Sequence, residues 1–161
     1  MQEQDAVTLQ LATMRDVGDI ARMSAALIED GLPPAWTPRR VYAHIKHKEC
    51  TVLVARLAQR TAGFAIMEFG ATTAHLNLLA VRPQLQRRGV GRQLLSWLHE
   101  SAITVGTFIV NLELRAENIK ARRFYASMGY EECGYVPRYY SNIEDAVRMS
   151  RDLTVRHSIN P

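Results

Sequence analysis

The spacing of apolar residues changes its period several times along the chain, and each change predicts a new element. From Asp16 to Ile28, apolar side chains recur every three or four positions, which is the spacing of one helix face. Thr13 is the predicted N-cap of this helix, with Asp16 as the acid of a short capping box, and Gly31 predicts its end. A second, shorter helix is predicted after Pro38, beyond a proline-rich loop.

Seven stretches have the alternating or continuous apolar pattern of β-strands. They cover residues 8–11, 51–58, 62–69, 74–81, 108–115, 130–136 and 146–153. The AQRT segment that joins the second and third stretches suits a hairpin turn. Helical spacing returns over residues 90–105 and 121–128, and Gly106 and Gly129 predict the ends of these two helices.

The order of these elements is β-α-α-β-β-β-α-β-α-β-β. It predicts an α/β protein with a single central mixed β-sheet of about six to seven strands, flanked by about four helices. A length of 161 residues fits one domain. We expect its core at about residues 8–153 and a polar tail over residues 154–161.

Composition narrows the function classes only slightly. An apolar fraction of 47% and a charged fraction of 22% are ordinary for a soluble globular protein, and no stretch is apolar for long enough to span a membrane. Cys50 and Cys133 stand apart in sequence, without neighbouring ligands, which argues against a disulfide scaffold or a metal site and fits a reducing compartment. We therefore expect a soluble, cytoplasmic protein without a metal. The formal charge of +4 weakly favours an anionic ligand, although nucleic acid, a phosphorylated cofactor and a merely basic surface all agree with it.

The stretch QRRGVGRQLL, residues 86–95, directly follows a predicted strand and opens a long predicted helix. A helix N-terminus has unpaired backbone N–H groups and the positive end of the helix dipole, so anions bind there. The spacing excludes two phosphate loops: no Lys-Ser or Lys-Thr follows the glycines, and Leu94 replaces the third glycine of a dinucleotide fingerprint. A basic first turn without a ligand also fits the pattern, but two glycines and several arginines at this end favour an anion.

The segment LLAVRPQLQRRGVGRQLL resembles motif A of the GCN5-related N-acetyltransferase (GNAT) superfamily, with Gln86, Gly89 and Gly91 at its three defined positions. A second segment, LELRAENIKARRFYASMGY at residues 112–130, resembles motif B of the same superfamily. The resemblance implies acetyl-coenzyme A (acetyl-CoA) as the cofactor, with its pyrophosphate on the backbone amides of the turn and its pantetheine arm along the preceding strand. The cofactor-binding residues that the resemblance implies are Leu79, Ala80, Val81, Gln86, Arg87, Arg88, Gly89, Val90, Gly91, Arg92 and Asn118.

Towards the C-terminus, RYYSNIEDAVRM at residues 138–149 is similar to the ending of the RimI-like branch, which acetylates protein N-terminal amines. The resemblance implies an acetyl-CoA-dependent N-acetyltransferase that transfers an acetyl group to a primary amine by direct attack in a ternary complex. The acceptors that it implies are a protein N-terminal α-amine, with Tyr139 and Tyr140 lining the acceptor slot, or alternatively a small-molecule amine or a lysine side chain. The chain departs from the branch in the short stretch between Tyr140 and Glu144, and in Arg82 where an acidic residue is common.

Acetyl transfer from a thioester to an amine needs a base for the amine, donors for the oxyanion and an acid for the departing thiolate. Motif B makes Glu113 the candidate base, directly or through a water, although a salt bridge with Arg115 or Arg138 would also account for it. The same motif makes Tyr125 the candidate acid, because a phenol stays protonated at neutral pH, although a tyrosine on this apolar helix face is most often core. Asn118 fits either a contact with the pantetheine arm or an N-cap.

A non-catalytic module is the rival interpretation, either a coenzyme A sensor or a nucleic-acid binder. A nucleic-acid site typically interleaves aromatic residues with its basic ones, and residues 84–93 contain no aromatic residue. A degenerate sensor should lack the acid and the base, and both Glu113 and Tyr125 are present. We therefore expect no nucleic-acid or membrane partner, and a monomer or a homodimer. His75 and His99 are interpreted as structural.

Overall fold

A computed structural model describes residues 6–155 of the chain. These residues form seven strands and four α-helices in the predicted order. The strands are β1 (Thr8–Leu11), β2 (Cys50–Leu57), β3 (Arg60–Phe69), β4 (Thr73–Val81), β5 (Ile109–Arg115), β6 (Glu131–Tyr140) and β7 (Glu144–Asp152). The helices are α1 (Val17–Met23), α2 (Pro38–Lys46), α3 (Val90–Thr104) and α4 (Ile119–Ser127). The strands form one sheet in the order β1-β2-β3-β4-β5-β7-β6, which confirms the predicted α/β fold.

The sheet is mixed, because β4 pairs with β5 in parallel while β1–β2, β2–β3, β5–β7 and β6–β7 are antiparallel pairs. The chain divides into two compact units. The first unit comprises the described residues up to Glu68 together with Leu76–Glu100. The second comprises Phe69–His75 together with the described residues from Ser101 onwards. The prediction that the chain forms one domain stays a prediction.

The first unit has its hydrophobic core between helices α1 and α2 and the strands. Ile20 of α1, Val41 of α2 and Phe64 of β3 all have no exposed surface there. The hairpin between β2 and β3 closes through Ala58 and Gln59, whose φ angles of 49° and 63° are the left-handed values that a two-residue type I′ turn requires. The predicted hairpin turn is therefore confirmed.

The predicted cap at Thr13 precedes a 3-10 turn over Met14–Asp16, and α1 itself begins only at Val17 and ends differently from the prediction. Asp16 Oδ2 accepts a hydrogen bond from the Thr13 N–H at 2.9 Å, as the predicted capping box requires. After α1 the chain widens into a π-helical turn over Ser24–Ile28, which helical spacing alone does not predict. The buried carboxylate of Glu29 follows this turn and accepts a hydrogen bond from the Trp36 N–H at 3.2 Å, so the helix end is fixed to the loop beyond it.

The second unit is built on β5, β7 and β6. β7 lies between the other two strands, and its pairing with β5 runs from Ile109 opposite Asp152 to Arg115 opposite Ala146. β5 also pairs with the first three residues of β4, so that His75 lies opposite Asn111. Buried and half-buried residues alternate along β5, which confirms that Asn111, Glu113 and Arg115 share one face.

β6 extends further than the apolar pattern predicted. The expected end was Val136, whereas the strand continues to Tyr140. Pro137 has no N–H to donate, but β6 is the edge strand of the sheet, where a proline is tolerated. Asp145 of β7 accepts a hydrogen bond from the Arg138 N–H at 2.9 Å and so holds the irregular part of β6 in place.

Within residues 6–155 no helix is long and apolar enough to cross a membrane. The predicted polar tail begins inside this range at Thr154 and continues beyond it. The polar N-terminal residues 1–5 also lie outside the described range.

Candidate active site

The turn between β4 and α3, in the first unit, has the backbone of an anion-binding turn. α3 begins at Val90, and the Gly89 carbonyl accepts a helical hydrogen bond from the Gln93 N–H at 3.0 Å. Arg87 and Gly89 have left-handed backbone, with φ angles of 63° and 80°. N–H groups in the first turn of a helix have no carbonyl one turn earlier to bond. A Cβ added to Gly89 would meet no atom within 4 Å, so the space beside this backbone is open.

Some side chains of the turn pack against the protein, and others are exposed to solvent. Val90 is only 2% exposed, so its side chain packs into the interior. Gln86 Nε2 donates a hydrogen bond to the Val81 carbonyl at 3.1 Å, which fixes the turn to the end of β4. Three arginines of the turn are exposed: Arg87, Arg88 and Arg92. Their charges suit the doubly charged pyrophosphate that the sequence predicted for this turn.

The end of β4 lies unusually close to β3. The Arg82 N–H donates to the Ala62 carbonyl at 2.9 Å. A Cβ on Gly63 would lie 2.7 Å from the Ala80 carbonyl oxygen, which is closer than a side-chain atom can approach without a shift of the backbone. Gly63 therefore sets the position of the strand segment predicted to hold the pantetheine arm, Leu79–Val81. A glycine inside a strand is the signal for such a close approach, and Gly63 was not predicted.

Glu113 is the candidate base in the second unit, and only 13% of its side chain is exposed. Its Oε2 accepts a hydrogen bond from His75 Nε2, and its Oε1 accepts one from Arg148 Nε at 3.3 Å. The hydrogen bond from His75 is the main reason that the pKa of the Glu113 carboxyl lies below its usual range, and it outweighs the opposite effect of burial. Arg148 lies directly opposite Glu113 on β7, so the arginine partner is neither Arg115 nor Arg138, the two that the sequence suggested.

His75 was interpreted as structural, but it contacts the candidate base directly. Ala74 and Leu76 on either side of it are buried, whereas 41% of the His75 side chain is exposed. His75 lies opposite Asn111, two residues before Glu113, so the His75 and Glu113 side chains share one face of the parallel pair. The two residues are 38 positions apart, and no local spacing could have revealed their contact.

The contacts described for the two arginines suggested as partners of Glu113 are made with other residues. Arg115 Nε lies 3.5 Å from Glu144 Oε2, an ion pair that is too long for a good hydrogen bond. Among residues 6–155, the buried Nε and Nη2 atoms of Arg115 have no hydrogen-bond partner. Arg138 donates its backbone N–H to Asp145. The face of β5 that carries Glu113 therefore also carries a guanidinium whose buried Nε and Nη2 atoms make no hydrogen bond within residues 6–155.

Tyr125, the candidate acid, lies in α4 and is 8% exposed. Its ring centroid lies 5.1 Å from that of Phe124 and 5.6 Å from that of Tyr130, in edge-to-face contacts. Burial raises the pKa of the Tyr125 phenol, so the hydroxyl is protonated at neutral pH. The core position that the apolar helix face suggested is confirmed, and the proton-donor role stays a prediction.

Asn118 begins α4, and its Oδ1 accepts a hydrogen bond from the Ala121 N–H at 3.0 Å. The N-cap alternative is therefore confirmed, while a contact with pantetheine stays a prediction.

The predicted acceptor residues lie at the end of β6: Tyr139 is 44% exposed, and its ring meets that of Tyr140 edge-on at 4.9 Å. Burial raises the pKa of the Tyr140 phenol. The two rings are thus held against each other beside the β6–β7 turn, where an acceptor slot remains a prediction.

Cys50 is isolated in sequence but not in space. Its Sγ, a ring nitrogen of His44 and a carboxylate oxygen of Glu68 all lie within 4.8 Å of one another, a grouping of potential ligands that was not expected. Burial, together with the negative charges of Glu68 and Glu49, raises the pKa of the Cys50 thiol to about 11. A protonated, half-buried thiol is a poor nucleophile, and Cys133 is exposed and unpaired. The surroundings of Cys50 therefore do not activate it as an acyl acceptor.

The acetyltransferase (GNAT) domain family model matches residues 23–153 of this chain. The chain is 32% identical over 155 residues to the N-alpha-acetyltransferase RimI of Mycobacterium tuberculosis, covering 92% of this chain and 94% of that protein. It is 37% identical over 99 residues to the ribosomal protein bS18-alanine N-acetyltransferase of Salmonella typhimurium, covering 60% of this chain and 67% of that protein. It is 35% identical over 98 residues to an uncharacterized N-acetyltransferase of Methanocaldococcus jannaschii, where the match spans 60% of this chain and only 62% of the relative's length.

Among solved structures, the ribosomal-protein-S18-alanine N-acetyltransferase of Escherichia coli is similar to the chain with a TM-score of 0.79. The match covers 95% of this chain and 97% of that one at 24% identity, so it shows the shared fold. The family match includes the turn before α3, the β5 strand with Glu113 and the α4 helix with Tyr125. The chain therefore belongs to the acetyltransferase (GNAT) domain family, a family of N-acetyltransferases whose acyl donor is acetyl-CoA.

Proposed function

We propose that the chain acetylates the α-amino group at the N-terminus of a peptide or protein, by direct attack of that amine on acetyl-CoA. The observation that carries the acceptor is the likeness to the N-alpha-acetyltransferase RimI of M. tuberculosis, at 32% identity over 94% of that protein. The S. typhimurium relative is likewise named for an alanine of a ribosomal protein. A small-molecule amine and a lysine side chain remain the alternative acceptors.

The turn before α3 fits the cofactor. Open space beside Gly89, left-handed backbone at Arg87 and exposed guanidinium groups together suit a pyrophosphate at a helix N-terminus. The Leu79–Val81 backbone would hold the pantetheine arm, and Asn118 is a further candidate contact. When bound, the cofactor supplies the thioester whose acetyl carbon is attacked. The chain's own part is to bind and orient the cofactor and to move protons.

The state of Glu113 favours an α-amine over a lysine. Its pKa is lowered, so Glu113 is ionised at neutral pH and can draw a proton from the acceptor, directly or through an intermediary group. A lowered pKa also makes the carboxylate a weak base. An α-amino group, with a pKa near 8, loses its proton about two orders of magnitude more readily than a lysine near 10.4. A weak base therefore suits the more acidic of the two ammonium groups.

Tyr125 is the proposed proton donor to the departing thiolate, because its raised pKa keeps the hydroxyl protonated. Tyr139 and Tyr140 are the proposed contacts of the acceptor, since paired aromatic rings can bind the backbone and first side chain of a peptide. With acceptor and cofactor bound together, the reaction needs no acetylated enzyme, and neither Cys50 nor Cys133 is required.

The proposal is tested with a matched pair of lysine-containing peptides, one with a free N-terminus and one with the same sequence and a blocked N-terminus. We expect coenzyme A release and acetylation of the free peptide at its α-amine, and no turnover of the blocked one. Equal turnover of both peptides would assign the activity to lysine, and turnover of polyamines or aminoglycosides alone would assign it to small molecules. If calorimetry shows that acetyl-CoA binds but no amine is acetylated, the result would favour the rival interpretation of a non-catalytic coenzyme A-binding module.

A further inference from the structure

Three side chains with metal-binding atoms meet at the end of the β2–β3 pair that lies away from its turn. His44 lies in α2, Cys50 is the first residue of β2, and Glu68 is the last residue but one of β3. A ring nitrogen of the first, the Sγ of the second and a carboxylate oxygen of the third all lie within 4.8 Å of one another. All three residues belong to the first unit, so the cluster joins three elements of that unit at one point.

Regular backbone structure brings these residues together. Cys50 and Glu68 are direct partners in the antiparallel pairing of β2 with β3. Opposite residues of such a pair share one face of the sheet, with Cβ atoms about 5 Å apart. The turn after α2 brings His44 to them, because the Cys50 N–H donates to the His47 carbonyl at 3.1 Å and the His47 N–H donates to the His44 carbonyl at 3.3 Å. The approach of the three side chains is therefore fixed by strand pairing and by a hydrogen-bonded turn.

Two of the three side chains are also oriented by a hydrogen bond of their own. His44 Nδ1 lies 2.9 Å from the Arg40 carbonyl oxygen. Because a carbonyl only accepts, Nδ1 carries a proton, and a neutral ring then has its lone pair on Nε2. Glu68 Oε2 accepts a hydrogen bond from the side-chain amide of Asn77 at 3.2 Å. Hydrogen bonds of this kind orient the histidines and carboxylates of metal sites.

The chemistry of the cluster selects the metal. A cysteine sulfur, an imidazole nitrogen and a carboxylate oxygen are all ligands of Zn²⁺, whereas Ca²⁺ and Mg²⁺ take oxygen ligands. The charge also favours a cation, because the carboxylates of Glu68 and Glu49 act on the Cys50 sulfur and, together with burial, raise the pKa of its thiol. A divalent cation would reverse this effect, since a coordinated thiol loses its proton.

We propose that His44, Cys50 and Glu68 bind one Zn²⁺ ion, with a water molecule as the fourth ligand. Ligand atoms around a tetrahedral zinc ion lie about 3.5 Å from one another, so the cluster has to contract by at most about 1 Å. Glu68 is exposed, and its flexible side chain can supply this movement. As the Zn–S bond forms, the S–H bond of Cys50 breaks and its proton passes to solvent.

The ion would stabilise the fold and would take no part in acetyl transfer. Glu68 lies five residues along β3 from Gly63, which contacts the proposed pantetheine segment, and five residues of strand span about 17 Å. An ion held by α2, β2 and β3 ties the end of a helix to the sheet. Because such an ion binds the folded chain, it raises the free energy of unfolding. Zinc binding and acetyl transfer can therefore be tested separately.

The test titrates the full chain, freed of metal with a chelator, with Zn²⁺ and with Co²⁺, which is coloured in the same kind of site. We expect one Zn²⁺ per chain by calorimetry, a higher Tm with Zn²⁺, and a sulfur-to-cobalt charge-transfer band with Co²⁺. Cys50→Ser, His44→Gln and Glu68→Gln should each weaken Zn²⁺ binding about 100-fold or more, because even the loss of a residue that only orients a ligand costs about 10- to 100-fold. Cys50→Ser should also lose the charge-transfer band and the rise in Tm.

Cys133→Ser and His47→Gln are the matched controls. Cys133 is the other cysteine of the chain, and His47 is an exposed histidine three residues after His44. Both variants should keep the wild-type affinity for Zn²⁺ and the wild-type cobalt spectrum. The wild-type spectrum itself needs no replacement, so it tests the sulfur ligand even where a variant fails to fold.

Three results would overturn the site. The first is a wild-type chain that binds no Zn²⁺ at millimolar concentration, and the second is a cobalt complex without the charge-transfer band. The third is wild-type affinity in any folded variant of His44, Cys50 or Glu68, or a loss of affinity in Cys133→Ser, which would place the ion elsewhere. Each of these results would leave the proposed acetyl transfer untouched.

Discussion

At the scale of single residues, Tyr125 has to satisfy both the packing of α4 and the proposed chemistry. Its ring is enclosed by the rings of Phe124 and Tyr130, and burial raises the pKa of its phenol. The raised pKa keeps the hydroxyl protonated until the thiolate leaves, and it also makes the phenol a weaker acid. Packing depends on the ring and proton donation on the O–H, so removing one oxygen atom separates the two roles.

We expect Tyr125→Phe to keep the free energy of unfolding within about 1 kcal/mol of wild type, because the ring contacts remain. Its kcat should fall about 100-fold, because the proton donor is lost. Urea unfolding and steady-state kinetics measure the two effects. Tyr130→Phe is the matched control, a neighbouring buried tyrosine that should keep the wild-type kcat. A Tyr125→Phe variant as fast as wild type would leave Tyr125 as a core residue only.

The face of a strand or helix on which a site residue lies was predictable from the spacing within that element. The residues that contact it from other elements were not predictable. The two-residue period places Glu113 on the half-exposed face of β5, and helical spacing places Tyr125 on the buried face of α4. Arg115 was one of the two partners suggested for Glu113, but two residues along a strand are separated by about 6.6 Å, whereas opposite residues on paired strands lie about 5 Å apart. The pairing of β5 with β7 and with β4, which brings Arg148 and His75 to Glu113, is not encoded in any local pattern.

At the scale of elements, α3 lies between two glycines with almost the same backbone. Gly89 precedes the helix with a φ of 80°, and Gly106 follows it with a φ of 81°. A Cβ added to either would meet no atom within 4 Å. Alanine therefore introduces the same backbone strain at both ends, about 1–2 kcal/mol, and no steric clash in the chain itself. Only the Gly89 end faces the proposed pyrophosphate.

We expect Gly89→Ala and Gly106→Ala to lower the free energy of unfolding by similar amounts. Only Gly89→Ala should weaken acetyl-CoA binding, by about tenfold or more, because its methyl group would occupy the space left for the pyrophosphate and its strain would disturb the turn. Urea unfolding gives the common effect, and calorimetric titration with acetyl-CoA gives the difference. Equal affinities in the two variants would argue against a phosphate contact at Gly89.

The order of the elements was predictable, and their irregular ends were not. β1 was predicted with the bounds that it has, and Gly106 and Gly129 both follow helix ends with positive φ. The π-helical turn after α1 ends at Glu29, whose carboxylate accepts hydrogen bonds from the loop as far as Trp36. The extension of β6 depends on the edge position of the strand and on Asp145 of β7. Both deviations are accompanied by contacts with residues outside the element concerned, which periodicity within one element cannot report.

At the scale of the whole molecule, the chain has a formal charge of +4 and its proposed cofactor is an anion. A net positive charge attracts an anion over a distance, whereas arginines beside the ligand bind it through short, charge-assisted hydrogen bonds. The two contributions can be separated because exposed cations occur both in the turn and elsewhere. The turn has Arg87, Arg88 and Arg92, and other exposed cations of the same unit are Arg39, Lys48 and Arg60.

Two triple alanine variants, one of each set, lower the formal charge by the same three units, from +4 to +1. We expect the turn variant to raise the KM for acetyl-CoA about tenfold or more, the equivalent of at least about 1.4 kcal/mol, and the other variant to raise it far less. Because exposed charges are screened beyond about 10 Å at 0.1 M salt, the wild-type KM should rise with ionic strength. In the turn variant the KM should increase less steeply with ionic strength, because this variant has lost the arginine contacts with the cofactor that salt weakens. Equal KM values and equal salt dependence in the two variants would show that only net charge matters and that these arginines do not hold the cofactor.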